Sequence, residues 1–190
     1  MISKQLKEIQ KILTDNRTPG TVEFINKIIP GQQRVYGVKT PVLNEIVKEY
    51  KDGSFELAEE LWHAGALEEK IIAIKIMEKK GKEDPDRLFR LFNKFSNEID
   101  NWAVCDGMGM QFLRTVVRTH KDKIFTLATK LNYSKDPWQR RLSLVMVEWY
   151  TRQNDMHPQI DVLVNNLKND KEYYVQKAVK WIKRNFKKGK

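Results

Sequence analysis

The sequence predicts an all-α fold, a solenoid of the right-handed type made of stacked antiparallel helix pairs. Two observations carry that expectation. Four segments align with one another, LEEKIIAIKIMEKK, WAVCDGMGMQFLRT, WQRRLSLVMVEWYT and YVQKAVKWIKRNFK, starting at Leu67, Trp102, Trp138 and Tyr174 and so spaced by 35, 36 and 36 residues. A fixed period of that size marks a helical repeat array, in which each unit buries its apolar face against its neighbours. No segment alternates apolar and polar residues as a half-buried strand does. The period runs unbroken from Leu67 onward, so we expect a single domain over 1–190, with residues 1–60 forming an atypical N-terminal cap.

Each element has a local reason. Leu6, Ile9, Ile12 and Leu13 give Ser3–Thr14 the spacing of an amphipathic helix. Asn16–Gly20 reads as a turn, Thr21–Ile29 as a second helix, and Pro30–Gly31 as its close. The loop Tyr36–Pro41 leads into a helix Pro41–Tyr50, with Thr40 as N-cap and proline at the first helical position. This loop reads either as a plain helix start or, if Tyr36 is exposed, as a contact. Phe55–Trp62 and Leu67–Lys80 follow, the latter with Glu68 and Glu69 in its first turn, where the helix dipole favours acids. Asp84–Phe95, the central helix Asn101–Arg118, Lys121–Leu131, Pro137–Tyr150 capped by Asp136, Ile160–Leu167 and Lys171–Phe186 complete the array. The last residues are Lys187-Lys188-Gly189-Lys190.

Composition narrows the function. With 41% hydrophobic residues the chain can bury a real core, and it holds no apolar run long enough to cross a membrane. Its one cysteine, Cys105, excludes a disulfide within the chain and suggests a reducing compartment, so we expect a cytoplasmic protein. Thirty-five basic against twenty-five acidic residues leave a net charge of +10, which points to a polyanionic partner.

The chemistry gathers on the central repeat helix. At the fifth position of the four segments stand Ile71, Asp106, Leu142 and Ala178. Three are apolar, so the position is expected to face packed structure, yet in the second segment it carries a carboxylate beside Gly107 and Gly109. Burying a lone carboxylate costs on the order of several kcal/mol. Either a cation meets Asp106 or its pKa rises, and we take it as the candidate catalytic residue. Pairing with Arg141 inside the array is the structural alternative.

The fourth position holds Lys70, Cys105, Arg141 and Lys177. Equivalent positions line up along one face of a stacked array, so three basic residues there form either a stripe that tracks a phosphate backbone or a merely solvated face. Arg140, Lys180 and Arg184 widen the stripe. Trp102 lies one turn before Asp106 and shares its face. Trp181 occupies the repeat position of Gly109 and falls near the same face if the layers stack in register. Ring faces beside a carboxylate hold a cation well, whereas Trp138 reads as packing between layers. The histidines His63, His120 and His157 lack metal-ligand spacing, and Cys105 lies in an apolar run with no evident base. Neither a metal nor an organic cofactor is expected.

These same residues carry a resemblance. YGVKTP at Tyr36–Pro41, LWHAGALEEKIIAIKIM at Leu61–Met77, NWAVCD at Asn101–Asp106, PWQRRLSLV at Pro137–Val145 and VQKAVKW at Val175–Trp181 occur in one order. Together they resemble the AlkD-type DNA alkylation repair glycosylases, which are built of HEAT-like repeats. The resemblance places the family's catalytic aspartate on Asp106, its two active-site tryptophans on Trp102 and Trp181, and its motif arginine on Arg141. A second acid that often follows the motif tryptophan is replaced here by Ala103. It implies a monofunctional DNA glycosylase of base excision repair, which hydrolyses the N-glycosidic bond of N3- or N7-alkylated purines in double-stranded DNA. Asp106 would stabilise the oxocarbenium-like sugar and position a water. Trp102 and Trp181 would pack near the lesion, and Arg141 would hold a phosphate. Lys70, Lys177, Arg140 and Tyr36 are further candidate DNA contacts, and we expect a monomer with no membrane association. The competing readings are a non-catalytic HEAT-like DNA-binding module and a protein-interaction solenoid, the latter lacking salt-dependent DNA affinity.

Overall fold

The structure, a computed structural model, describes residues 3–29, 31, 34–50 and 52–188. Pro30, expected to close the second helix, and Lys190 of the basic tail lie outside them. The described residues form eleven α-helices and no strand: α1 (Lys4–Asp15), α2 (Pro19–Ile28), α3 (Thr40–Glu49), α4 (Phe55–Ala64), α5 (Leu67–Lys80), α6 (Pro85–Phe95), α7 (Trp102–Gly107), α8 (Lys121–Asn132), α9 (Pro137–Val145), α10 (His157–Leu167) and α11 (Tyr173–Lys188). The four repeat segments are α5, α7, α9 and α11, so the period gave the correct phase. The chain divides into two compact units, 1–85 and 86–190.

In the first unit α4 and α5 form an antiparallel pair around Leu61, Trp62, Ile72, Ile76 and Met77, with α3 packed on α5 and α1 on α4. Ser3 and Ser54 cap α1 and α4 by accepting the N–H groups of Leu6 and Leu57. Gly65, at φ +88°, ends α4 in the left-handed conformation that only glycine adopts cheaply. Two expectations are corrected. α2 starts at Pro19, whose fixed φ suits a first helical turn, so the preceding turn is shorter than the sequence suggests. Thr40 lies inside α3 and Lys39 takes the cap position, with no side-chain cap bond.

In the second unit the repeat helices pack in succession, α7 on α9 and α9 on α11, with α8 and α10 behind them. Asp136 caps α9 through the N–H of Trp138 at 2.8 Å, as expected. Phe92, Phe95 and Phe112 share the core, their ring centroids 6.0 and 6.2 Å apart. The central helix is not continuous to Arg118. It runs from Trp102 to Gly107 and passes into a π-turn, Met108–Phe112. Gly109 is the physical reason for a tight approach here. A Cβ on it would lie 2.6 Å from Val145 Cγ1 and 2.9 Å from the Met146 nitrogen, so α9 presses its backbone against the π-turn. α9 likewise stops at Val145, and a 3₁₀ turn at Glu148–Tyr150 replaces its expected last turn.

Candidate active site

Asn101 opens α7 by accepting the Val104 N–H, and this short helix carries Trp102, Cys105 and, one turn after Trp102, Asp106. Asp106 sits at the rim rather than in the core: its side chain keeps 31% of its exposure. That corrects the expectation of a fully packed fifth position. Its cation is Arg141 of α9, whose own side chain is only 8% exposed. Arg141 Nη2 donates to both Asp106 oxygens, at 2.8 and 3.1 Å, and Nε donates to Oδ1 at 3.2 Å. A forked, charge-assisted contact of this kind fixes orientation as well as distance.

Arg141 reaches further. Its Nη1 donates to the Tyr174 carbonyl at the head of α11, 2.7 Å away, so one guanidinium joins α7, α9 and α11. The repeat explains the geometry. Cys105, at the same repeat position on α7, points its thiol at the Trp138 carbonyl of α9 at 3.7 Å. A fourth-position side chain thus meets the first-position carbonyl of the next repeat helix in both layers. Cys105 is fully buried, and burial pushes its thiol well above the usual range, so it is no nucleophile at neutral pH. Desolvation raises the Asp106 pKa above its ordinary 3.8, while Arg141 and then Lys177 pull it back.

The basic stripe is corrected in this unit. Arg141 is buried and turned into the clasp. Arg140 is held by Asp170 at 2.6 Å and by the carbonyls of Ser134 and Lys135, so it braces the entry to α9. Lys177, Lys180 and Arg184 on α11 are exposed. Trp102 and Trp181 are half-buried, on α7 and α11, the two helices that flank α9. Trp138 packs on Tyr174, with ring centroids 5.2 Å apart.

In the first unit Lys70 stands over the Trp62 ring, 5.2 Å from its centroid. Tyr36 is half-buried and its hydroxyl donates to Glu69 at 3.0 Å. Burial, then the Glu69 charge, push its pKa up to about 12, so the phenol stays protonated. Glu68 and Glu69 are more than dipole partners, which corrects the simpler reading. Both are buried, and Glu68 accepts the backbone N–H groups of Tyr36, Gly37 and Val38 at 3.0, 2.7 and 3.1 Å. Glu69 accepts from Gln10, Arg34, Tyr36 and the Ala66 N–H. The sequence held no clear signal for this, because adjacent residues on a helix lie about 100° apart and two acids at a helix start can both face solvent.

Among the described residues no three His, Cys, Asp or Glu side chains gather as metal ligands, and no helix is long and apolar enough to cross a membrane. A carboxylate clasped across three successive repeat helices defines a helical-repeat protein with one candidate reaction centre. The family model for DNA alkylation repair enzymes matches residues 9–189, and the chain belongs to that family. No individual curated protein matches it. The protein is accordingly an enzyme of DNA alkylation repair, with DNA as its partner.

Proposed function

We propose that the protein is a monofunctional alkylpurine DNA glycosylase acting on cationic N3- and N7-alkylated purines in duplex DNA. The supporting observation is Asp106, a rim carboxylate pinned by a buried arginine with part of its surface left open. A purine alkylated at N3 or N7 already carries positive charge, so the C1′–N bond breaks with the electron pair leaving on a neutral base. No general acid is needed. The sugar becomes cationic, and a fixed anion beside it lowers the barrier. Water then adds to C1′, and Asp106 accepts its proton.

Arg141 has a role in this scheme different from the phosphate grip implied by resemblance. It keeps Asp106 ionised and aimed, and phosphate contacts fall to Lys177, Lys180 and Arg184. Trp102 and Trp181 supply apolar ring faces near the developing charge. The test is base release from N-methylated duplex DNA, with binding measured in parallel. Wild type should release base, and Asp106→Asn should bind but lose about two to three orders of magnitude in rate. An Asn variant as active as wild type refutes the role of Asp106. The same ion pair also favours a second reading, a non-catalytic DNA-binding module in which Asp106 only fastens α7 to α9. Binding without release by the wild type would establish it.

A further inference from the structure

We propose that the heads of α9 and α11 form a stacking platform for an unpaired nucleobase, next to the candidate reaction centre. The inference rests on DNA being the substrate and adds a base-binding subsite to it. Three aromatic rings form a ladder there. Trp138 packs on Tyr174 at 5.2 Å with an interplanar angle of 33°, and Tyr173 meets Tyr174 edge-on at 5.0 Å and 82°. The inner two rings are half-buried and have packing partners. Tyr173, the outermost, is 64% exposed. A large ring held by a rigid aromatic neighbour and open to solvent is the arrangement on which bases stack, because every base has a π-face.

Charge points the same way. Lys177, one turn into α11, places its ammonium 5.3 Å from the Tyr173 centroid and 5.9 Å from that of Tyr174. It is exposed and has no carboxylate partner within ion-pair distance among the described residues. A base lying on Tyr173 would bring its phosphate within reach of that ammonium, so one site offers the π-face and the countercharge that a nucleotide needs. Of the two acids just before α11, Asp170 is already paired with Arg140 and Glu172 is exposed. The platform is tied to the reaction centre by one residue, since the Tyr174 carbonyl takes the Arg141 bond that helps aim Asp106.

The test uses the full chain and three DNA probes: a blunt duplex, the same duplex with a short single-stranded overhang, and one with a single bulged base. Each carries 2-aminopurine at the terminal, overhanging or bulged position. The overhang and bulge probes should bind about tenfold more tightly than the blunt duplex, with quenching of the 2-aminopurine fluorescence. Tyr173→Ala should abolish both the preference and the quenching, while Tyr173→Phe keeps them because only the ring face is used. Lys177→Ala should weaken all probes and reduce the salt slope by about one. Equal affinity for all probes with no quenching overturns the platform and leaves the duplex reading intact. A preference that survives Tyr173→Ala overturns it too. Failure to bind any probe counts against the DNA reading itself.

Discussion

The helices α5 and α7 both carry acids, α5 in its first turn and α7 one turn further in, and they treat them in opposite ways. Glu68 and Glu69 are wholly enclosed and saturated with donors: three consecutive backbone N–H groups on one, and an amide, a guanidinium, a phenol and a backbone N–H on the other. Asp106 has one cationic partner and stays partly open. A carboxylate whose oxygens are fully used can only hold structure. One that is aimed from behind by an arginine and left open in front can also meet a substrate. The difference between anchor and reagent is thus in the number of donors and the exposure, not in residue type.

Breaking the anchor should show the largest effect. Glu68→Ala leaves the N–H groups of Tyr36, Gly37 and Val38 without their acceptor, at about 1–3 kcal/mol for each that stays dry. Allowing for partial rehydration of the loop, we expect about 3–5 kcal/mol lost in denaturant unfolding. Asp106→Asn should change stability by less than about 1 kcal/mol in the same measurement, because the amide oxygen still accepts from Arg141 at the rim. Equal losses in the two variants would erase the distinction.

Gly109→Ala tests the support of the reagent. Its Cβ meets Val145 and the Met146 backbone, which cannot yield, so about 1–3 kcal/mol of stability should go. Base release should fall as well, because α7 and α9 must separate and the Asp106–Arg141 clasp spans them. A smaller loss, about 1 kcal/mol, is expected for Tyr36→Phe, which removes one hydrogen bond to Glu69. The least effect is a displacement in pH. Asp106 titrates above 3.8, so the acid limb of base release should lie above the ordinary aspartate range, and Arg141→Gln should move it higher. For stability the sign is the reverse of the usual acid case. The raised pKa contributes stability below about pH 3.8, and that contribution fades as pH rises through the folded value.

Much of this was legible in the chain. A period of 35–36 residues set the helices α5, α7, α9 and α11, because a repeat must present the same apolar positions to each neighbour. It also singled out Asp106 as the acid at an otherwise apolar position, and named Arg141 as its alternative partner. Exposure was not legible. Whether a fourth-position base faces solvent, as Lys177 does, or turns inward, as Arg141 does, depends on the partners its neighbouring helices offer, here the Asp106 carboxylate and the Tyr174 carbonyl. The π-turn was hidden for a similar reason, since glycine only permits the close approach that the neighbouring α9 backbone exploits. Arg140 looked like its basic neighbours until Asp170, thirty residues away in sequence, proved to be its partner.

The carboxylate of Glu68 also governs time. Residues 36–38 lie outside any helix, and a loop of that kind ordinarily exchanges its amide hydrogens with water quickly. Here each amide is bonded to a side chain rooted in the first turn of α5, so none is released until that turn opens. In a deuterium exchange experiment the Tyr36–Val38 amides should therefore keep pace with the α5 helix rather than with the loops on either side.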